Sequence, residues 1–382
     1  MSPLAPKPNW KTLDAYQYTI TREDFVWLLD RVYAPYGAWK EWIRVDANSA
    51  RIMTRRGAAP YVLHFAASRS QARAIPRYWR SRSEIPRGDR SRPLAGLRIA
   101  IDPGHIGGQW AKLEERWFQI GNSKPVTEGD MTLYVAKLME QRLERLGAKV
   151  YLTRTSAKPV TSDRPKNLRK AAAAELRAKR QRPNPASVER MSNILFYRMS
   201  EIRKRAELIN KRIRPDLVIC LHFNAEAWGD PASPSLVNQN HLHFLITGAF
   251  SSDELSYDDQ RINMLVKLLD RAYSEELGIT QDITRAMKKA TGLPPFTYHG
   301  KNAVNAGGNP YIWGRNLLAN RLFECPVVYI EPYVMNSREV FHRIQAGDYS
   351  GAKTINGRRQ PSIFREYADG VTAGIVDFYS RR

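Results

Sequence analysis

Asp216-Leu217-Val218-Ile219-Cys220-Leu221-His222-Phe223-Asn224 is an almost unbroken apolar run that opens on an acid and closes on His222 and Asn224. A run of this kind reads as a strand buried on both faces, which is how strands look in a mostly parallel sheet covered by helices. Outward from it, residues 97–102 form a second compact apolar run, ending in Pro103-Gly104-His105. Residues 149–154, 241–247 and 327–333 supply further strands. Between the first two strands, residues 129–146 read as a helix: Leu133, Ala136, Leu138, Leu143 and Leu146 contribute to its apolar face, and Gly147 stops it. Strands alternating with helices predict an α/β domain, with a mostly parallel sheet flanked by helices on both faces. Later helices are expected over 254–277, 311–323 and 363–379.

Three of these strands end in residues with metal or proton-transfer chemistry. His105 follows the first strand on a tight turn, His222 closes the central strand, and Glu331 ends Val328-Tyr329-Ile330-Glu331-Pro332. Sites in open α/β sheets gather beyond the carboxyl ends of strands, so residues far apart in sequence can converge there. Glu128, at the start of the first helix, is a fourth candidate, with Glu114-Glu115 as nearby competitors. Two imidazoles and one carboxylate, leaving an open position, form a recognised catalytic zinc set. Hydrolysis then needs a second carboxylate to move a proton from water to the leaving nitrogen. His241 and His243 share one strand face but are read as packing or neighbouring residues.

Taken in order, IDPGHIGG, TEGDMTL, KVYLTR, Arg205 with DLVICLHFN, and YIEPYVMN resemble the zinc-dependent N-acetylmuramoyl-L-alanine amidases. The resemblance runs from Leu97 to the C-terminus, apart from a basic insertion. It implies one zinc ion bound by His105, Glu128 and His222, with Glu331 completing catalysis. The implied reaction is hydrolysis of the amide between N-acetylmuramic acid and L-alanine in peptidoglycan, for wall remodelling or daughter-cell separation. The sequence departs from the family in reading His-Ile-Gly-Gly, in a long stretch from His105 to Glu128, and in the Pro-Tyr after Glu331.

The rest of the chain is read from pattern and charge. Residues 1–67 are expected to form a small α+β domain of unstated role. There Thr21 caps a helix over 25–33, and strands at 42–46, 50–54 and 61–65 form a meander. His64 is read as a packed strand residue. Residues 68–94, rich in Arg, Ser and Pro, read as an extended linker lying on its own domain. Residues 95–382 form the catalytic domain, with the basic helical insertion at about 156–200. Within it 167–182 favours a helix, and Ser187 is expected to cap a second one whose apolar stripe runs from Val188 to Ile213.

Lys and Arg number 60 against 38 Asp and Glu, a formal charge of +22. Such a field attracts polyanions of any kind. Peptidoglycan is the expected partner, and the basic insertion is a site on which an activator protein could act. Nucleic acid is disfavoured because no recognisable binding module accompanies the charge. Cys220 and Cys325 read as buried free thiols. Residues 1–13 lack an apolar leader, and no stretch reaches the roughly 20 apolar residues of a membrane span. Since the implied substrate lies in the periplasm or cell wall, a leader is expected outside this sequence. The competing functions are another zinc peptidase or amidase, a non-catalytic wall binder and a basic nucleic-acid-binding protein.

Overall fold

The computed structural model describes residues 1–230 and 233–381. In the N-terminal unit, Thr21 Oγ1 accepts the amide of Asp24 and starts helix α1 (Arg22–Leu28), which runs on in a wider turn to Tyr33. Three strands, β1 (Ile43–Val45), β2 (Ser49–Ile52) and β3 (Tyr61–His64), pair as the expected antiparallel meander. His64, expected to be packed, instead lies exposed and stacks on Tyr18 at 5.6 Å. Strand alternation sends its neighbour Leu63 inward in its place.

The main sheet uses β4 (Arg98–Pro103), β5 (Lys149–Leu152), β6 (Leu217–Leu221), β7 (Leu242–Thr247), β8 (Val304–Asn305), β9 (Ile312–Arg315) and β10 (Val327–Pro332). Their order across the sheet is β8-β9-β7-β10-β6-β4-β5. β5, β4, β6 and β10 run parallel, and the direction reverses where β7 meets β10. On one face, Ile99, Ile101, Ile219, Leu221, Ile330 and Phe244 join a large core. The helices α2 (Glu128–Arg145), Ala272–Thr291 and Ile363–Ser380 cover that face. On the other face, Ala100, Val218, Cys220 and Val327 meet Ala206, Ile209, Ala319 and Phe323. Both faces are covered, which is why β6 carries no polar residue between Asp216 and His222. Cys220 and Cys325 are buried and unpaired.

Two helix expectations need correction. Residues 254–277 do not form one helix: Asp258–Leu269 and Ala272–Thr291 are separate, broken where Arg271 adopts φ 57°. Lys267, before the break, pairs at 2.6 Å with Glu276 after it, so tertiary burial of that ion pair fixes the turn. Residues 311–323 are strand β9 followed by a short helix, Leu318–Leu322, because Ile312-Trp313 lies in register with Phe244-Leu245 of β7.

In the insertion, α3 (Pro165–Ala178) is followed by α4 (Pro185–Ile194), which continues through wider turns and α5 (Glu201–Glu207) to Ile213. The cap of α4 is Asn184, not Ser187. Asn184 Oδ1 accepts the Ser187 amide at 2.9 Å, and Ser187 Oγ returns to the Asn184 amide at 2.9 Å.

Residues 68–94 are irregular but anchored. Trp79, Ile85 and Leu94 are buried, and Arg80 pairs with Asp216 at 2.7 Å. The core of the N-terminal unit is not confined to residues 13–65: Phe250, Leu255, Ile262, Met264, Leu265, Leu268 and Leu269 belong to the same cluster.

Candidate metal centre

Strand β4 ends at Pro103, and the chain then turns through Gly104 into His105, whose φ of 59° is left-handed. Such a backbone costs an L-residue of order 1–3 kcal/mol and persists only where its surroundings enforce it. Here two buried guanidiniums do so. Arg154 donates to the carbonyls of Pro103 (3.1 Å) and Gly104 (3.1 Å), and Arg205 to those of Pro103 (2.8 Å) and His105 (2.7 Å). Burial, then the adjacent Arg205, lowers Arg154 to about 9. Burial also opposes the charge of Arg205, but ion pairs to Asp102 (3.1 Å) and Glu201 (2.9 Å) keep it protonated. Gly104 admits no side chain, because a Cβ there would stand 2.3 Å from Cε1 of His222.

Glu128 is the first residue of α2 and is almost wholly buried. Its Oε1 lies 3.0 Å from Nδ1 of His222 and accepts the Phe223 amide at 3.1 Å. Its Oε2 lies 3.2 Å from Nε2 of His105 and 3.3 Å from Nε of Arg116. Burial would raise the Glu128 carboxyl, but His105 and His222 outweigh it and hold it well below the usual range. The helix N-terminus favours the same ionised form. Burial lowers His222, leaving a neutral imidazole, whose ring stacks on Tyr329 at 4.2 Å. An ionised carboxylate beside a neutral imidazole is the state a divalent metal requires of its ligands.

The donor atoms of His105, Glu128 and His222 all lie within 4.8 Å of one another. Glu128 offers Oε1 at 3.0 Å from His222 and Oε2 at 3.2 Å from His105, and two imidazoles with one carboxylate are the donor types a catalytic zinc takes, so the residues fit zinc. Glu114 is no rival: its carboxylate accepts the Ile106 amide at 3.0 Å.

These three residues line an open cleft of about 920 Å³, together with Lys112, Glu115, Arg116, Trp117, Trp228, Tyr329 and Glu331. Glu331 opens partly onto the cleft but is otherwise enclosed. That burial, followed by the charge of Glu128, lifts its carboxyl well above the normal range. Across the reversed strand, Glu331 is the register partner of His243. Burial lowers His243 to about 3, and its Nε2 meets the Tyr298 hydroxyl at 3.1 Å. His241 meets Glu226 at 3.1 Å. Neither histidine joins the metal-binding group.

Residues 99–356 match the sequence model of the N-acetylmuramoyl-L-alanine amidases. The chain belongs to that family. This amidase is therefore a hydrolase of the peptidoglycan amide bond, in a family that is typically zinc-dependent and acts outside the cytoplasm. Among solved structures it is similar to the apo form of Ami1 from Mycobacterium abscessus. They share 17% identity over 75% of this chain and 99% of that one, with a TM-score of 0.40. It is also similar to AmiC2 of Nostoc punctiforme, at 14% identity over 75% and 98% of the two chains, with a TM-score of 0.39. The CwlD amidase from Clostridioides difficile, solved in complex with the GerS lipoprotein, shares 13% identity over 75% and 100%, with a TM-score of 0.41. No curated protein matches. No helix among the described residues is long and apolar enough to cross a membrane.

In this amidase the helices of residues 165–213 pack directly against the turn that carries His105. Ile106 is buried in a cluster with Leu168, Ala172, Leu195, Phe196 and Tyr197, and Trp110 and Leu113 pack against it. The apolar stripe seen in the sequence is thus covered in part by α3 and by the loop after His105. Arg116 and Tyr329 were not visible as site residues in the sequence. Arg116 lies in a loop without periodicity, and Tyr329 was hidden inside an apolar strand.

Proposed function

We propose that His105, Glu128 and His222 hold one zinc ion and that Glu331 transfers the proton in cleavage of the N-acetylmuramoyl–L-alanine amide. The observation carrying this reading is the convergence of two imidazoles and one buried carboxylate, their ligand atoms all within 4.8 Å of one another, at one wall of a cleft that Glu331 also lines. When bound, zinc supplies Lewis acidity that activates water and polarises the amide carbonyl. Glu331 takes the proton released as the water oxygen bonds to carbon. It then delivers that proton to the alanine nitrogen as the C–N bond breaks, leaving a carboxylate on the sugar side and a free amine on the peptide. Glu331 must be ionised to accept that proton, so the burial that lifts its carboxyl works against the first step and favours the second, delivery to the nitrogen. His105 is fixed for ligation by the clamped turn, and His222 by Tyr329 and Gly104.

In this reading, residues 1–67 form the N-terminal domain, 68–94 the linker and 95–382 the catalytic domain, with the basic insertion at about 156–200. The exposed Lys166, Arg169, Lys170, Arg177 and Arg190 of the insertion face solvent. They would hold the enzyme on anionic wall or receive an activator protein, whose push would reach Ile106 and so His105. Activity would be in the periplasm or cell wall. The deciding experiment is digestion of purified peptidoglycan with mass spectrometry of the fragments, with and without chelator. Release of intact stem peptides with a free L-alanine amine, abolished by chelator and restored by zinc, is expected. Cleavage within the stem peptide instead would make it a peptidase.

A further inference from the structure

A second cavity, of about 430 Å³, lies between residues 6–12, the helical segment carrying Arg203 and Lys211, helix Asp258–Leu269 and helix Leu318–Leu322. It shares no lining residue with the cleft. Arg203 and Arg321 both line it and are largely buried, and Nε of each is buried with no hydrogen-bond partner. Their other nitrogens are only partly engaged: Arg203 Nη2 reaches the Pro3 carbonyl at 3.4 Å, and Arg321 Nη1 reaches Asn316 Oδ1 at 3.0 Å.

The counter-charge is insufficient. Asp259 is the buried carboxylate between them, and its Oδ1 is occupied by the Ser2 amide at 2.6 Å. Its Oδ2 stands 3.8 Å from Arg203 and makes no hydrogen bond. Glu207 is bound to Lys204 at 2.8 Å, and Lys267 is neutralised by Glu276. Glu324 is exposed at the rim, where Lys7 and Lys211 are exposed as well. Among the described residues, Asp259 is the one carboxylate within 4 Å of either guanidinium, and Glu254 acts on Arg321 only from farther away. Burial lowers both, Arg321 to about 10, with repulsion from Arg203 contributing to the latter. An unmatched buried charge is costly, and a guanidinium edge satisfies itself best on an oxyanion.

We propose that this cavity is a binding site for a phosphoryl group carried on a small polar body. Three tetrahedrally arranged oxygens can reach two guanidiniums that lie on different helices, which the two coplanar oxygens of a carboxylate do less well. The volume, room for on the order of a dozen waters, exceeds that of free phosphate and leaves space for an attached group. The rim lysines would meet its remaining charge. A soluble phosphate monoester presents three such oxygens, whereas the phosphodiester of a wall or lipid polymer presents two non-bridging oxygens in the same tetrahedral arrangement and one charge fewer.

The test is calorimetric titration of the full, zinc-loaded chain with inorganic phosphate, glycerol 3-phosphate and glycerophosphoglycerol, at fixed ionic strength. Glycerol 3-phosphate or the diester is expected to bind with one site per chain and more tightly than inorganic phosphate. The tighter of the two identifies the source as ester or polymer. Arg321→Gln should weaken binding at least tenfold. Lys211→Glu, on the exposed rim where folding is not at stake, should weaken it severalfold. Binding that is undiminished in both variants would place the ligand on the metal or on the general basic surface and overturn the proposal. So would the absence of saturable binding at millimolar concentration.

Discussion

Nε of Arg116 stands 3.3 Å from Oε2 of Glu128, the same oxygen that faces Nε2 of His105 at 3.2 Å. A guanidinium and a metal ion would compete for that oxygen. Arg116 is partly exposed, so this ion pair contributes about 1 kcal/mol or less, and removing the competitor has a modest effect. Arg116→Gln should hold zinc severalfold more tightly, read as slower loss of zinc to a chelator. Unchanged or faster loss would mean that Arg116 supports the ligand instead of competing for it.

His105→Ala and His222→Ala should each purify with little zinc by elemental analysis, and with amidase activity near background. Normal zinc content in both variants would remove them from the ligand set.

Glu331→Gln should keep its zinc while losing turnover by roughly two to four orders of magnitude, the usual scale for acid–base catalysis. The amide is nearly the same shape, so folding should survive. Hydrolysis of muropeptides at the parent rate would assign the proton to another group.

Arg205 joins Asp102, Glu201 and the carbonyls of Pro103 and His105 in one buried network. Arg205→Met would strand two buried carboxylates, at about 3–5 kcal/mol by the scale for broken buried pairs. The expected result is a large drop in unfolding temperature. A drop of under about 1 kcal/mol would show that the turn does not depend on this clamp.

Asp270 accepts the Tyr16 hydroxyl at 2.7 Å, and burial raises its carboxyl to about 7. The folded chain thus keeps a proton that the unfolded chain releases near the ordinary aspartate value of 3.8. Between those limits the folded state binds more protons, so this group's contribution falls as pH rises and levels off above about 7. Asp270→Asn removes that loss. Its unfolding temperature should match the parent near pH 4 and exceed it by about 2 °C or more at pH 8. A difference that stays constant across the range would contradict the assignment.

Much of this was legible in advance. The strand ends at His105, His222 and Glu331 could be read because buried strands leave continuous apolar runs that stop abruptly at polar residues. What failed depended on distant partners. Ile312-Trp313 looked helical because Leu317, Leu318 and Leu322 extend its apolar spacing, and only pairing with β7 makes it a strand. Arg271 carries no glycine or proline signal, and the Lys267–Glu276 pair makes the break there. Arg116 reaches Glu128 from an irregular loop, where no periodicity announces a side chain's direction.

The layer shared by residues 13–65 and Phe250 to Leu269 bears on how the polypeptide would respond to a protease. Each large apolar side chain covered there contributes roughly 1.5–3 kcal/mol, and the seven from Phe250 onward all belong to the later part of the chain. A cut among the exposed arginines of 68–94 would sever the backbone without separating what it joins. The two fragments would migrate together in native gels and part only in denaturant, so a nicked enzyme would keep its shape.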